Sequence, residues 1–277
     1  MIIAVASGKG GTGKTTLSAA LAEVADTEVM LLDCDVEEPN AHIFIKTQDK
    51  KREPVSIGVP VIDSEKCTLC GKCGEICEFN AIAVLKTEVL IFEELCHSCG
   101  GCSLICPEDA VSEKPNEIGS VFIGKSDNIT LVEGALDVGR ALSPPIIRAV
   151  KKHIDSGRLN IIDCPPGTAC PAVTSMNGAD YIVLVTEATP FGLHDLKLSV
   201  DVVRELNIPY GVIINRADTG DDGVRSYCES EGIEILMEIP ENMEIAKAYS
   251  RGETLLSALP QMKEELRAVL AHAGGAL

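Results

Sequence analysis

"MIIAVASGKGGTGKTTLSAALAEVA" spans residues 1–25, and its three parts decide the architecture. Residues 1–6 are an apolar run with β-branched members, Gly8 to Gly13 interrupt it, and Leu17, Ala20, Leu21 and Val24 then recur at helical spacing. Strand, loop and helix are expected in that order. The loop "GKGGTGKTT" (8–16) satisfies G-x-x-x-x-G-K-[ST] after a buried strand and at a helix start, which is the context its chemistry needs. The first amides of a helix have no partner of their own, so those of Gly10, Gly11, Thr12, Gly13 and Lys14 can surround phosphate oxygens behind Gly8. Lys14 adds a point charge for the β and γ phosphates, and Thr15 adds a hydroxyl for Mg2+. Thr16 either touches the α phosphate or simply begins the helix. ATP or ADP is the expected ligand, with GTP an alternative because this loop does not read the base.

Outward from that loop the same rhythm continues. "EVMLLDCD" (28–35) is a second buried strand ending on Asp33 and Asp35, and "LNIIDCPPG" (159–167) is another, ending on Asp163. "YIVLVT" (181–186), "YGVIIN" (210–215) and "IEILMEI" (233–239) complete the strand set, with Asn215 closing one of them. Helical stretches separate them at 141–156, 192–206 and 221–231, and two closing helices meet an interruption at Pro260. Alternation of this kind predicts an α/β fold, a mostly parallel sheet with helices on both faces and its site at the carboxyl edge. Of the paired acids, Asp35 suits water or metal placement. Asp33 could be the structural partner held by strand-end amides, or both could be surface loop acids.

After "VEEPNAHIF" (36–44) the pattern weakens, and residues 60–112 carry "CTLCGKCGEIC" and "CHSCGGCSLICP". Cys67, Cys70, Cys73 and Cys77 have the spacing C-x2-C-x2-C-x3-C, and Cys96, Cys99, Cys102 and Cys106 repeat it. That run resembles bacterial ferredoxins with two 4Fe-4S clusters, in which the fourth cysteine of each run serves the other cluster. The resemblance gives the sets Cys67, Cys70, Cys73, Cys106 and Cys96, Cys99, Cys102, Cys77. Glu78 stands where the first run usually has proline, which alters a turn and not a ligand. All-cysteine zinc sites are the alternative metal reading, and clusters that only staple a small insert are the alternative role. The expected organisation is a nucleotide-binding part over 1–59, a small inserted α+β iron-sulfur domain over 60–112, and the second nucleotide-binding part over 113–277. Cys34, Cys164, Cys170 and Cys228 read singly as small core residues. His97 reads as exposed loop and His194 as a helix-start residue without an acid–base partner.

With 277 residues and 45% hydrophobic content the chain can bury a large core. Its 24 Lys and Arg against 42 Asp and Glu give a formal charge of -18, which works against nucleic acid or anionic membrane as unaided partners. No run of 18 apolar residues occurs, and residues 1–6 lead straight into the loop, so a cytoplasmic protein without a stable membrane anchor is expected. Twelve cysteines without an export signal argue for metal rather than a disulfide scaffold.

Together "SGKGGTGKTT", "DCDVEEPN", "DCPPGTACP", "TEATPFGLHDL" and "ENMEIAKAYSRGE" resemble the MinD, ParA, Mrp and nitrogenase iron protein superfamily of P-loop ATPases, in the form that contains an inserted ferredoxin domain. The resemblance implies a homodimer, or a heterodimer with a similar ATPase, in which Lys9 reaches phosphate bound in the other subunit. It also implies that Asp35 orients water or metal, Asp163 holds Mg2+ through water, Gly167 lets backbone approach the γ phosphate, and Asn215 lies against adenine. The function implied is a Mg-ATP hydrolase that couples nucleotide state to electron transfer or docking with a redox partner or metalloprotein client. An Mrp-type cluster carrier and a MinD-like regulator with a structural insert are the alternatives. Cys170 falls where the nitrogenase iron protein has one bridging cysteine, but residues 108–162 contain no cysteine to supply the second. The C-terminal stretch lacks the basic amphipathic face of MinD membrane-targeting helices.

Overall fold

The computed structural model describes residues 1–275, apart from the side chain of Asp49; the end of the predicted 113–277 part lies outside the described residues. Five short strands form the parallel core: β1 (Ile2–Ala6), β2 (Val29–Asp33), β8 (Leu159–Asp163), β9 (Tyr181–Glu187) and β10 (Tyr210–Asn215). Their interiors are apolar on both faces, as a sheet covered on both sides requires. In β1, Ile3 and Val5 join the core on one face while Ala4 and Ala6 join the other. The whole sheet has nine strands in the order β11 (Ile235–Ile239), β10, β9, β1, β8, β2, β7 (Ile129–Leu136), β6 (Val111–Ser126) and β3 (Gln48–Ile62). Every pairing from β11 to β7 is parallel, and β7–β6 and β6–β3 are antiparallel.

Helix α1 (Lys14–Val24) covers one face with Leu17, Leu21 and Val24, joined by α8 (Met243–Arg251), α9 (Leu255–Ala258) and α10 (Lys263–Gly275). The opposite face is covered by α4 (Pro144–Lys151), α5 (Cys170–Met176), α6 (Pro190–Leu206) and α7 (Gly223–Glu231), through Ile146, Met176, Leu196, Val200 and Val224. Local signals set these limits. Thr189 caps α6 by accepting from the Gly192 amide at 3.0 Å, Pro190 occupies the first turn where no donor is needed, and Asn207 ends the helix at φ 53°. The helix expected over 141–156 is confined to Pro144–Lys151, starting at two prolines and ending in a turn.

Apart from the α+β insert expected over 60–112, the alternation singles out no strand between residues 36 and 158, yet β3, β6 and β7 of the main sheet lie there. The reason is their position: β3 is the edge strand, and residues 111–117 of β6 pair with β3 alone, so Pro54, Pro60 and Pro115 and many charges are tolerated there as they would not be in a central strand. The expected boundaries at 59/60 and 112/113 fall inside this hairpin. Val59 pairs with Lys114 and Ile62 with Val111, so the same two strands run from the main sheet into the cysteine-rich segment, with a register shift at Val55/Ser56. That segment contains α2 (Lys72–Glu75), the hairpin β4 (Ile82–Val84) with β5 (Val89–Ile91), and α3 (Gly101–Ile105). Among the described residues no helix is long and apolar enough to cross a membrane.

Candidate functional site

The loop between β1 and α1 has the local geometry its glycines permit. Gly11 and Gly13 are left-handed at φ 77° and 95°. A Cβ at Gly13 would also lie 2.6 Å from the Asn215 side-chain nitrogen, which donates to the Thr12 carbonyl at 2.8 Å. Asn215, at the end of β10, therefore braces the phosphate loop as well as lining the cleft beside it. That cleft, of about 420 Å³, is also lined by Gly10, Gly11, Gly13, Lys14, Thr15, Thr16 and Asp35. Pro240, Asn242, Ile245 and Tyr249 also line it and set apolar side chains beside the polar loop, as suits a flat heterocycle next to phosphates. Sequence reading assigned none of these four a role. They belong to a loop and helix whose contribution depends on where β11 ends.

Three carboxylates converge at the ends of β2 and β8, where Asp33 and Asp163 are directly paired in register. Asp163 is fully buried and accepts from the Thr15 hydroxyl at 2.6 Å and from Ser18 at 3.0 Å. Ser18 was not singled out in the sequence; its only signal is its place one helical turn after Lys14. Burial raises the Asp163 carboxyl to about 6, against the lowering effects of the Thr15 bond, the Lys14 charge and Ser18. Asp35 is likewise raised to about 6, first by burial, with Lys14 lowering it and Asp163 raising it. Asp33 accepts from the amides of Asp35, Asn40 and Ala41, each at 3.0 Å, so it is the structural carboxylate of the pair. Burial and the Asp163 charge push it well above the usual range. Lys14, only 6% exposed, is the cation these acids surround. Excess negative charge beside a serviceable hydroxyl fits a divalent cation, with Thr15 and Asp163 as the groups to hold it.

Asp35 gives a pH prediction. A raised folded-state pKa means that the fold prefers the protonated acid, so the linked stability is present at acid pH and lost as pH rises through about 6. Asp35→Asn removes that loss. In nucleotide-free protein the variant's Tm, measured against wild type, should gain as pH rises from about 4 to about 6 and level off above that. An unchanged difference would mean that Asp35 is already well hydrated.

The remaining loop residues sit at its margins. A Cβ at Gly8 would meet the Asp195 carbonyl oxygen at 2.3 Å, which locks the loop's base against α6. Gly167 has φ 91° and donates its amide to the Ser7 carbonyl at 2.9 Å, holding the segment after Asp163 beside the phosphate loop. The side chain of Lys9 turns inward to Glu187.

In the cysteine-rich segment the eight thiols fall into two groups. Cys67, Cys70, Cys73 and Cys106 line one cavity, and Cys77, Cys96, Cys99 and Cys102 line another, so each run contributes its fourth cysteine to the other's cavity. The halves repeat with an offset of 29 positions. Leu69 and Ser98, Asn80 and Asp109, and Gly71 and Gly100 are matching left-handed residues, and the amides of Ala81 and Ala110 donate to Cys77 and Cys106 Sγ, each at 3.3 Å. Among the described residues no three His, Cys, Asp or Glu side chains stand as ligands to one metal ion. Single-ion sites gather ligands within about 2.3 Å of a centre, whereas an iron-sulfur cluster holds its thiolates apart, and a lined cavity with N–H···S donors fits the latter. His97 stacks on Phe79 at 3.6 Å beside the second cavity. Cys34, Cys164 and Cys228 are buried, as expected, but Cys170 is exposed as the first residue of α5.

Comparison with known proteins gives a consistent picture. The model of the CobQ/CobB/MinD/ParA nucleotide binding domain matches residues 3–255. An uncharacterised protein of Methanocaldococcus jannaschii is 34% identical over 92% of this chain and 91% of its own length. An iron-sulfur cluster carrier protein of Aquifex aeolicus is 28% identical over 94% of this chain and 62% of its own. In fold, the chain is similar to the cell division ATPase MinD of Pyrococcus furiosus, at TM-score 0.60 and 20% identity over 98% of both chains.

Proposed function

The chain belongs to the CobQ/CobB/MinD/ParA nucleotide-binding family, and on that footing we propose that it hydrolyses ATP with Mg2+ as a dimer and uses nucleotide state to govern a cluster-bearing arm. The carrying observation for hydrolysis is the buried Lys14 at the mouth of a cleft whose floor joins Thr15 to Asp163. Lys14 binds the β and γ phosphates, the amides of residues 10–14 hold their oxygens, and Asn215 keeps the loop against the base side of the cleft. Mg2+, when bound, supplies positive charge at the phosphates; Thr15 and Asp163 hold it. Asp35 accepts a hydrogen bond from the attacking water, Gly167 presents backbone to the γ phosphate, and Lys9 adds charge from the other subunit.

The eight thiols hold two 4Fe-4S clusters, and the arm conveys the state of the nucleotide site to them. Support comes from the bonding around Asp35. The Leu136 amide of β7 donates to the Val36 carbonyl at 2.7 Å, and Glu133 of β7 lies 2.8 Å from His42 Nδ1, while β7 pairs with β6 of the arm. Movement of residues 35–42 in response to γ phosphate thus acts on the strands that carry the cysteines. A redox partner or metalloprotein client docks there. The carrier name of the Aquifex aeolicus relative favours a second reading, in which a cluster is handed to a client.

Two-subunit hydrolysis is tested by ATP turnover against protein concentration. Specific activity should rise with concentration in wild type and fall by about 10²-fold or more in Lys9→Ala, by the usual worth of a transition-state charge donor. Full activity in a proven monomer would sink it.

A further inference from the structure

Glu187 ends β9 with only 7% of its surface exposed, yet both carboxylate oxygens are engaged by cations. Lys9 Nζ lies 2.6 Å from Oε2, and Arg216 Nη1 lies 2.7 Å from Oε1. The two cations come from different segments of the nucleotide site. Lys9 belongs to the phosphate loop, and Arg216, left-handed at φ 52°, follows Asn215 and lines the cleft. The loop backbone around Lys9 is fixed: Ser7 donates its hydroxyl to the Lys9 carbonyl at 2.6 Å, and Gly8 is pressed against α6. The Lys9 side chain is therefore the part that can move, and it is already one-third exposed.

Removing one partner from a buried ion pair is costly because it leaves an uncompensated charge. Here that cost is small, since Arg216 still neutralises Glu187 when Lys9 leaves. We propose that Glu187 is a positioning residue that parks Lys9 inside its own subunit, and that the two-subunit site forms when Lys9 exchanges this carboxylate for the more highly charged phosphates bound in a second copy. Glu187 thereby sets the protein and nucleotide concentrations at which dimers assemble. The inference rests on the dimeric reading above and adds to it the group against which dimerisation competes.

The experiment uses full-length protein at saturating ATP, reading the protein concentration at half-maximal ATP turnover, with sedimentation velocity in a non-hydrolysable ATP analogue as a second readout. Glu187→Gln keeps an acceptor for Arg216 but weakens the hold on Lys9, and should lower that concentration about tenfold, the scale of one charge-assisted hydrogen bond. Arg216→Ala leaves Lys9 as the sole counter-charge and should raise it. Opposite shifts from two residues touching one carboxylate would not arise from general loosening of the fold. An unchanged or raised midpoint in Glu187→Gln, or a lowered one in Arg216→Ala, overturns the proposal. If Glu187→Gln does not fold by circular dichroism, the Arg216→Ala direction decides alone. Lys9→Ala separates the two levels of argument: full, concentration-independent activity there rejects the dimeric reading itself, whereas loss of activity with no midpoint shift in the Glu187 variant rejects only the parking role.

Discussion

Lys14→Ala is expected to lose ATP turnover by at least about 10²-fold and to bind ATP measurably more weakly, because among the described residues no other cation in the cleft is buried beside the phosphate-facing amides. Its loss also changes the acids around it. The Lys14 charge lowers the carboxyls of Asp35 and Asp163, so its removal lets both climb further above their present values of about 6. At neutral pH a larger fraction of each is then protonated, and a protonated Asp163 no longer offers a full negative charge to Mg2+. Binding of a fluorescent ATP analogue, titrated with Mg2+ between pH 6 and pH 8, reads both effects. Lys14→Arg should not rescue, since a planar guanidinium does not fit a loop drawn around a point charge. Retention of half the wild-type turnover in the alanine variant would remove the phosphate-loop mechanism.

The second large effect concerns iron. Anaerobically prepared protein is expected to contain about eight iron and eight acid-labile sulfide per chain, and each single cysteine variant about four. The cavities make a sharper claim than the count. Cys106→Ala should leave the same residual cluster, by its reduced-state electron paramagnetic resonance spectrum, as Cys67→Ala, although Cys106 belongs to the other run. Cys77→Ala should in turn match Cys96→Ala. If Cys106→Ala instead matched Cys96→Ala, each run would serve its own cluster. Zinc at one ion per four cysteines without sulfide would end the cluster reading altogether.

Residues 1–35 needed no tertiary information to be placed. A buried strand, a glycine loop and an Ala-rich helix are each signalled within a few positions, and a phosphate loop is built from consecutive backbone amides, so its chemistry is local. The two thiol runs are legible for a similar reason, since metal-ligand spacing is a property of short chain segments. Asp33 illustrates the limit. Sequence offers it a structural role held by strand-end amides but leaves a surface-acid reading open, because two of the three amides come from residues 40 and 41, after a turn that no periodicity announces.

The alternation of strand and helix, the phosphate loop and both cysteine runs are legible from residue order alone, because each depends on side-chain type at fixed local spacing. The rest depends on contacts between distant segments. Edge strand β3 and the outer half of β6 hide behind prolines and charges because solvent flanks them, and only their cross-strand pairing reveals an arm continuous with the sheet. Pairing between groups 148 and 203 positions apart, as in Thr15 with Asp163 and Thr12 with Asn215, cannot be read from either partner alone. Glu187 was one acid among 42 Asp and Glu until β9, the phosphate loop and the turn after β10 brought Lys9 and Arg216 to its two oxygens. Long-range electrostatics of that kind is set by the order of strands in the sheet, which local propensity does not encode.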